Sequence, residues 1–275
     1  MGITKLFGKG ICAKILALAI GAVLLMTTVV AVRPAMVGAS SVLEENDGKY
    51  YSDYNSAEEV QAAGDALKEQ IGEEGFVLLK NANNTLPLLG AKRVSVFGRN
   101  ANNHVRGGSG SGGAGSTNVR SIYESLEEVG LSYNPQLRAL YDSSAMPAAR
   151  SNSRTGEAPV SVYTRSITES FSLYNDAAII VISRLGFEGA DYAYLDTETG
   201  GPEDNTDPTK HYLELGDNES EMLEMVKDHF DKVIVVLNSA APMEIGSLQD
   251  DPEVDGILWI GTTGSSSIMA LGRIL

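Results

Sequence analysis

Four apolar runs rich in valine and isoleucine constrain the fold of this chain more than any other feature. They cover Arg93 to Phe97, Ala177 to Ser183, Lys232 to Leu237 and Asp255 to Ile260. The runs show little apolar-polar alternation, which is typical of strands covered on both faces. Helical patterns separate them, notably over residues 118 to 129 and 217 to 230. Strands that alternate with helices predict an α/β fold, with a mostly parallel sheet and helices on both faces.

Upstream of the first strand, the sequence predicts a helix that begins at Ser56. Glu59 follows three positions later, which is the pattern in which each side chain satisfies the other's exposed backbone N–H. One stripe of the predicted helix is apolar and contains Val60, Ala63, Leu67 and Ile71. We expect Gly72 and Gly75 to end this helix.

The loop after the second apolar run carries the most informative carboxylate of the chain. Residues 183 to 191 have the sequence SRLGFEGAD, so Glu188 lies close to two glycines. Parallel α/β sheets bind their ligands just beyond the carboxyl ends of the strands. Glu188 is therefore a candidate proton donor. A solvated acidic loop residue is the alternative that its position alone leaves open.

A glycine-rich segment, residues 107 to 115, follows the first of the four strands. It contains only Gly, Ser and Ala, so its backbone can approach a ligand closely. The pattern Gly108-x-Gly110-x-x-Gly113 resembles a dinucleotide fingerprint, but residues 99 to 106 separate it from the strand and no acid ends a second strand. The residue directly before Ser116 is a glycine rather than a lysine, so the Walker pattern fails as well. Nucleotide binding and a plain flexible linker remain open as alternatives.

Composition excludes several classes of protein. The chain has 275 residues, of which 43% are hydrophobic, and a formal net charge of -15. These values indicate a globular domain and argue against nucleic acid as a partner, which requires a basic face. Cys12 is the single cysteine, so neither an intrachain disulfide nor a thiolate cluster forms. The three histidines and the acidic stretch 196 to 207 lack metal-ligand spacing, so we predict no metal and no cofactor.

The first forty residues have the pattern of an exported N-terminus. Three lysines precede an uncharged run from Ile15 to Val32, and no acid occurs before Glu44. We therefore expect the rest of the chain to lie outside the cytoplasm. Residues 37 to 39 offer a small-residue cleavage site, whereas the apolar run approaches the roughly 20 residues of a membrane span. A cleaved signal peptide and an uncleaved anchor both stay open, and the anchor is slightly favoured.

A series of motifs follows in a specific order along the chain. They are EGFVLLKN at 74 to 81, TLPL at 85 to 88, VSVFGRN at 94 to 100, GGSGSG at 107 to 112 and the Glu188 loop at 183 to 191. In order and spacing they resemble the α/β sandwich domain of glycoside hydrolase family 3. Residues 232 to 244 and 255 to 261 resemble the next strands of that domain. The resemblance covers about Glu73 to Leu275.

The resemblance implies β-glucosidase-like or β-xylosidase-like chemistry on a β-linked glycoside. Such retaining hydrolysis uses two carboxyl groups roughly 5 Å apart, one as nucleophile and one as acid/base. The match assigns the acid/base role to Glu188, which would protonate the glycosidic oxygen and later activate water. We expect a cleft closed by a second domain to raise the pKa of Glu188 for this purpose.

Sheet geometry adds five residues that are expected to bind substrate at the same edge as Glu188: Arg99, Ser109, Gly110, Arg184 and Phe187. Each has a purely structural alternative. Arg184 and Asp191 would form an ion pair that braces the loop, and Phe187 would cover the sheet edge.

The predicted domain order departs from that of most family members, in which a (β/α)8 barrel with the aspartate nucleophile comes before the sandwich. Here a membrane-directed segment precedes the sandwich, which resembles a permuted arrangement with the barrel after Leu275. We expect a signal peptide or anchor at 1–39, a linker and lead helix at 40–72, and a C-terminally incomplete sandwich at 73–275. The chain alone is then inactive. A non-catalytic carbohydrate-binding or cell-surface interaction module is the alternative function.

Overall fold

The computed structural model describes residues 53–108, 110–113, 118–146, 150, 155–189, 191–192 and 209–275. The predicted signal peptide or anchor, Ser109 and the acidic stretch 196 to 207 lie outside the described residues. Among the residues that are described, no helix has both the length and the apolar character needed to cross a membrane.

Six strands form one sheet in the residues that the structure describes. They are Val77–Asn81 (β1), Arg93–Phe97 (β2), Ser132–Tyr133 (β3), Ala177–Arg184 (β4), Val233–Ser239 (β5) and Gly256–Trp259 (β6). Their order across the sheet is β1-β6-β5-β4-β2-β3, and all neighbours are parallel except β1, which runs antiparallel to β6. The four strands predicted from apolar runs are confirmed, with ends that differ by no more than two residues. The fold is the predicted α/β architecture.

Seven α-helices surround the sheet in the described part of the chain. They are Ala57–Gly75 (α1), Ile122–Glu128 (α2), Pro135–Tyr141 (α3), Arg165–Phe171 (α4), Asp217–Lys227 (α5), Gly246–Asp250 (α6) and Ala270–Ile274 (α7). Helix α2 begins four residues later than predicted, because Ser121 caps it. The Ser121 hydroxyl accepts the Glu124 N–H at 3.1 Å, and the Glu124 carboxylate accepts the Ser121 N–H at 2.7 Å.

The two faces of the sheet bury separate apolar layers. Ile179 and Val181 of β4 pack with residues of α2 and α7 on one face. Ile180 and Ile182 pack with residues of α3, α4 and α5 on the other face. Each such side chain stabilises the fold by about 1.5–3 kcal/mol on burial. Because both faces are covered, β4 and β5 are buried along their full lengths and their carboxyl ends are firmly placed.

The lead helix α1 differs from its predicted form. It starts at the Ser56 cap as expected but continues through Gly72 to Gly75. Its apolar stripe is exposed rather than packed on the core, with Leu67 57% and Ile71 59% accessible. The opposite face approaches the sandwich at Gly72, where a Cβ would lie 2.6 Å from the Ser267 carbonyl oxygen. The missing side chain at Gly72 therefore sets which face of α1 packs.

Candidate active site

Asn238, at the end of β5, joins the segments that form the carboxyl edge of the sheet. Its side-chain amide donates to the Val105 carbonyl at 2.9 Å and to the Gly261 carbonyl at 2.7 Å. Its side-chain oxygen accepts the Ser183 hydroxyl at 3.1 Å and the backbone N–H of Val105. Asn238 is fully buried, so these bonds hold the loops after β2 and β6 against the end of β4. No sequence motif singles out Asn238, because its role depends on contacts between distant segments.

Glu188 is exposed and faces the glycine-rich loop. One oxygen, Oε2, accepts the backbone N–H of Ser111 and the Ser111 hydroxyl, both at 2.7 Å. The carboxylate predicted as proton donor and the loop predicted to approach a ligand therefore meet at one edge of the sheet. Ser111 lies 77 positions away along the chain, and the sequence analysis gave it no role of its own.

The two Ser111 hydrogen bonds lower the pKa of Glu188 from its ordinary value of 4.5. The backbone N–H contributes most, the hydroxyl second, and desolvation opposes both. Closure by a second domain is expected to raise this pKa. In the structure of this chain the shift has the opposite sign, because the carboxylate is exposed to solvent and accepts two hydrogen bonds in its ionised form.

Gly110 fits closely under the Glu188 side chain. Its φ of +81° lies in the left-handed region, and a Cβ there would lie 2.9 Å from the Glu188 Cβ and clash with Oε2. Both constraints favour glycine at this position. Gly110 is therefore placed beside the candidate acid/base as expected, whereas Ser109 lies outside the described residues.

Arg184 does not face the substrate edge. Its side chain is fully buried and forms a two-pronged ion pair with Glu219 of α5, at 2.8 and 2.7 Å. The guanidinium also donates to the carbonyl oxygens of Tyr212 and Glu214. The expected sugar contact of Arg184 is wrong, because its side chain is buried. The alternative, an ion pair with Asp191, is wrong as well, because the carboxylate that neutralises Arg184 is Glu219. Arg184 still braces the Glu188 loop, since it is the last residue of β4 and lies at the start of that loop.

Tyr212 connects this buried ion pair to the loop itself. Its ring centroid lies 5.1 Å from the Arg184 guanidinium carbon, and its hydroxyl accepts the Leu185 N–H at 3.2 Å. On the other side of the loop, the Tyr192 ring stacks on Tyr212 with centroids 5.5 Å apart. The Glu188 loop is thus fixed at both ends, and Glu188 lies between those ends on its exposed part.

The remaining predicted contacts lie around this edge. Phe187 is half-buried next to Glu188, as its position in the loop requires. Arg99 begins the short turn after β2, and its backbone N–H donates to Glu157 Oε2 at 2.8 Å. Burial lowers the pKa of Arg99, and the Glu157 charge partly opposes this. The structure therefore brings Glu188, Gly110 and Phe187 together, with Arg99 nearer to the buried Glu157.

No cluster of three or more His, Cys, Asp or Glu side chains that could hold a metal ion occurs in the described part of the chain. The backbone N–H at the tip of the glycine-rich loop binds Glu188 rather than presenting itself to a phosphate. Chemically, this edge offers the exposed, ionisable carboxylate of Glu188 on a supported loop.

Together these features define an α/β sandwich that presents the Glu188 carboxylate at the carboxyl edge of a mostly parallel sheet. Residues 76–275 match the glycosyl hydrolase family 3 C-terminal domain. The chain belongs to this family.

Relatives of known name agree with this assignment. β-Glucosidase A of Butyrivibrio fibrisolvens is 31% identical over 217 residues, covering 74% of this chain and 26% of that protein. A β-glucosidase of Ruminococcus albus is 27% identical, covering 75% and 21%. The structure of β-glucosidase 3B from Thermotoga neapolitana in complex with glycerol superimposes with a TM-score of 0.61 at 27% identity, covering 82% of this chain and 30% of that one. This chain spans about a quarter of the length of such relatives.

Proposed function

We propose that this chain supplies the general acid/base of a retaining β-glycoside hydrolase of β-glucosidase or β-xylosidase type. Glu188 is the acid/base residue. In the first step its carboxyl group gives a proton to the glycosidic oxygen as the glycosyl-enzyme bond forms and the leaving group departs. In the second step its carboxylate takes a proton from the water that hydrolyses this bond.

The observation that carries this proposal is the placement of Glu188. It is an exposed carboxylate on a loop at the carboxyl edge of a parallel sheet, where α/β proteins bind ligands. The buried Arg184–Glu219 pair fixes the start of its loop, while the exposed carboxylate accepts hydrogen bonds from Ser111 of the glycine-rich segment. A fixed loop with an accessible carboxylate suits a group that must alternate between donating and accepting a proton.

The nucleophile comes from a (β/α)8 barrel domain, in the permuted order with the sandwich first. The length of the β-glucosidase relatives, about four times the part matched here, supports a further domain. Closure of that domain over Glu188 would exclude water and compete with the Ser111 hydrogen bonds. Both changes would raise the pKa of Glu188 to a value suited to an acid. Export through the N-terminal segment, with the hydrolase outside the cytoplasm, is part of the same proposal.

The test uses the longest protein that the gene encodes, assayed with nitrophenyl glycosides and with glycosides of poor leaving groups. Glu188→Gln removes the acid without changing the size of the side chain. We expect it to abolish cleavage of poor leaving groups. We also expect it to leave a first-step burst with activated ones, because a good leaving group needs no proton. Turnover should then stall at the glycosyl-enzyme, which lacks its base.

Glu253→Gln is the matched control, since Glu253 is an exposed glutamate on the loop before β6. It should behave as wild type with both substrates. Turnover of both substrate types by Glu188→Gln at the wild-type rate would overturn the proposal, because another group would then supply the acid/base.

A further inference from the structure

A polar cavity, referred to below as the first cavity, lies at the same sheet edge beside the Ser111–Glu188 contact. It has a volume of about 240 Å³ and is lined by side chains of His104, Arg106 and Arg150 and by backbone of Gly107 and Gly108. Leu185, the first residue after β4, also lines it. A neighbouring cavity of about 240 Å³ shares Arg150 and is lined by Arg99 as well. Three arginines therefore surround two adjoining cavities.

This concentration of positive charge contrasts with the chain as a whole, which has 36 acidic and 21 basic residues. Burial lowers the pKa of Arg150, and the charges of Arg106 and Arg99 add to this effect. Two acids lie beside this cluster among the described residues: Glu157, which accepts the Arg99 backbone N–H, and Asp142, which lines the neighbouring cavity. Among the described residues that line the first cavity, none is acidic.

Two buried nitrogen atoms of residues that line this cavity have no hydrogen-bond partner among the described residues. They are Nε2 of His104 and Nε of Arg150. His104 is only 5% exposed, so its ring nitrogen is deeply placed. The rest of Arg150 is held in position, because its Nη1 donates to the Asn100 side chain at 2.5 Å and to the Asn103 carbonyl at 2.6 Å. A buried polar atom without a partner is costly, so these positions favour a ligand that accepts hydrogen bonds.

His104 is neutral at physiological pH. Burial lowers its pKa to about 4, and the neighbouring charges of Arg106 and Arg150 act in the same direction. A neutral imidazole can donate one N–H to a ligand while the arginines provide the charge. Small oxyanions fit this combination, because guanidinium groups bind their oxygens in a planar, paired geometry.

We propose that this cavity binds a small oxyanion group of phosphate type, through Arg106, Arg150 and His104. The cavity adjoins the acid/base position without including it, since Glu188 contacts Gly110 and Ser111 and none of these three residues lines the cavity. Its occupant is either free inorganic phosphate or a phosphate group carried by a sugar.

Histidine NMR on this chain tests the site directly. The chain has three histidines, so the imidazole signals of His104, His211 and His229 can be assigned and followed. Addition of inorganic phosphate at pH 7 should shift the His104 signals saturably, with half-saturation below about 1 mM. Potassium chloride at equal ionic strength should not reproduce the shift. The exposed His229 is the internal reference.

Substitutions identify the residues that bind the anion. Arg106→Gln and Arg150→Gln should each raise the half-saturating phosphate concentration at least about tenfold, because each removes a charge-assisted contact. Arg165→Gln is the matched control, since Arg165 is 92% exposed on α4, and it should leave the titration unchanged. Arg106→Gln decides the matter if Arg150→Gln does not fold.

Glucose 6-phosphate distinguishes the two sources of the group. Half-saturation at a lower concentration than inorganic phosphate identifies a sugar-borne phosphate, and an equal or higher concentration identifies the free ion. The proposal is overturned if His104 does not respond to about 10 mM phosphate. It is also overturned if a folded Arg106→Gln variant binds as wild type. Neither result bears on Glu188, because the measurement requires no catalysis.

Discussion

The base and the tip of the Glu188 loop differ sharply in burial and in hydrogen bonding. At the base of the loop, Arg184 and Glu219 are 0% and 2% exposed and form a paired, multiply hydrogen-bonded contact. At the tip, Glu188 is exposed and accepts two hydrogen bonds from one residue, Ser111. The buried, multiply bonded contacts of this region therefore support the base of the loop. The carboxylate itself is left where small changes can alter its protonation, as expected for a functional group.

Removing the buried charge at the base should have the largest effect. Glu219→Gln leaves the Arg184 guanidinium buried without a counter-charge, and we expect the free energy of unfolding to fall by about 3–5 kcal/mol. Urea denaturation at pH 7 measures this. Glu169→Gln is the control, because it breaks an exposed Arg–Glu pair on α4 and should cost less than about 1 kcal/mol. An equal fall in the free energy of unfolding in Glu219→Gln and Glu169→Gln would contradict this account, because the buried pair would then stabilise the fold no more than the exposed pair.

A side chain at Gly110 should reduce stability less than Glu219→Gln does, but it should disrupt the contact between Glu188 and Ser111. Gly110→Ala introduces left-handed strain of about 1–2 kcal/mol and forces the Glu188 carboxylate away from Ser111. Gly130→Ala is closely matched, since Gly130 has the same φ of +81° and open space around its Cβ position. We expect similar losses of stability in both variants. Only Gly110→Ala should raise the Glu188 pKa toward 4.5, as measured by NMR titration. An unchanged Glu188 pKa would mean that the contact is not maintained in solution.

The smallest expected effect is that of Ser111→Ala, which removes the hydroxyl donor but keeps the backbone N–H. The Glu188 pKa should rise part of the way to 4.5, since the backbone bond is the larger contribution. A lowered pKa means that the contact stabilises the folded state above pH 4.5 and ceases to do so as the pH falls through the lowered value. The variant should therefore be slightly less stable than wild type at pH 7 and equally stable at the acid end. Ser172→Ala, at an exposed hydroxyl on the α4 terminus, should show no such pH dependence.

Much of the fold follows from local sequence. Strands β2, β4, β5 and β6 were predictable because burial on both faces requires continuous apolar runs. The antiparallel edge strand β1 was not assigned, since its Val77, Leu78 and Leu79 are all partly exposed and its pairing depends on β6. The exposed stripe of α1 has a similar origin. Which face of that helix packs depends on the close approach at Gly72, and helical periodicity does not encode this.

The site was predictable in part for the same reason. The position of Glu188 follows from the end of β4, and that of Gly110 from the glycine-rich loop after β2. The roles of Asn238, Ser111, Tyr212 and Glu219 depend on contacts between distant parts of the chain. Arg184 was misassigned because it follows an apolar run at the strand end, and only the fold shows that α5 lies over it and brings Glu219 to it. The sign of the Glu188 pKa shift likewise depends on Ser111.

The pH dependence of kcat/KM tests the role of Glu188 most directly. With the longest protein that the gene encodes and an unactivated β-glycoside, the account predicts a fall in kcat/KM on the alkaline side as the acid loses its proton. In Glu188→Gln, assayed with an activated aryl glycoside in the first turnover, that alkaline limb should disappear. An alkaline limb that persists unchanged in Glu188→Gln would show that another group donates the proton and would contradict the account.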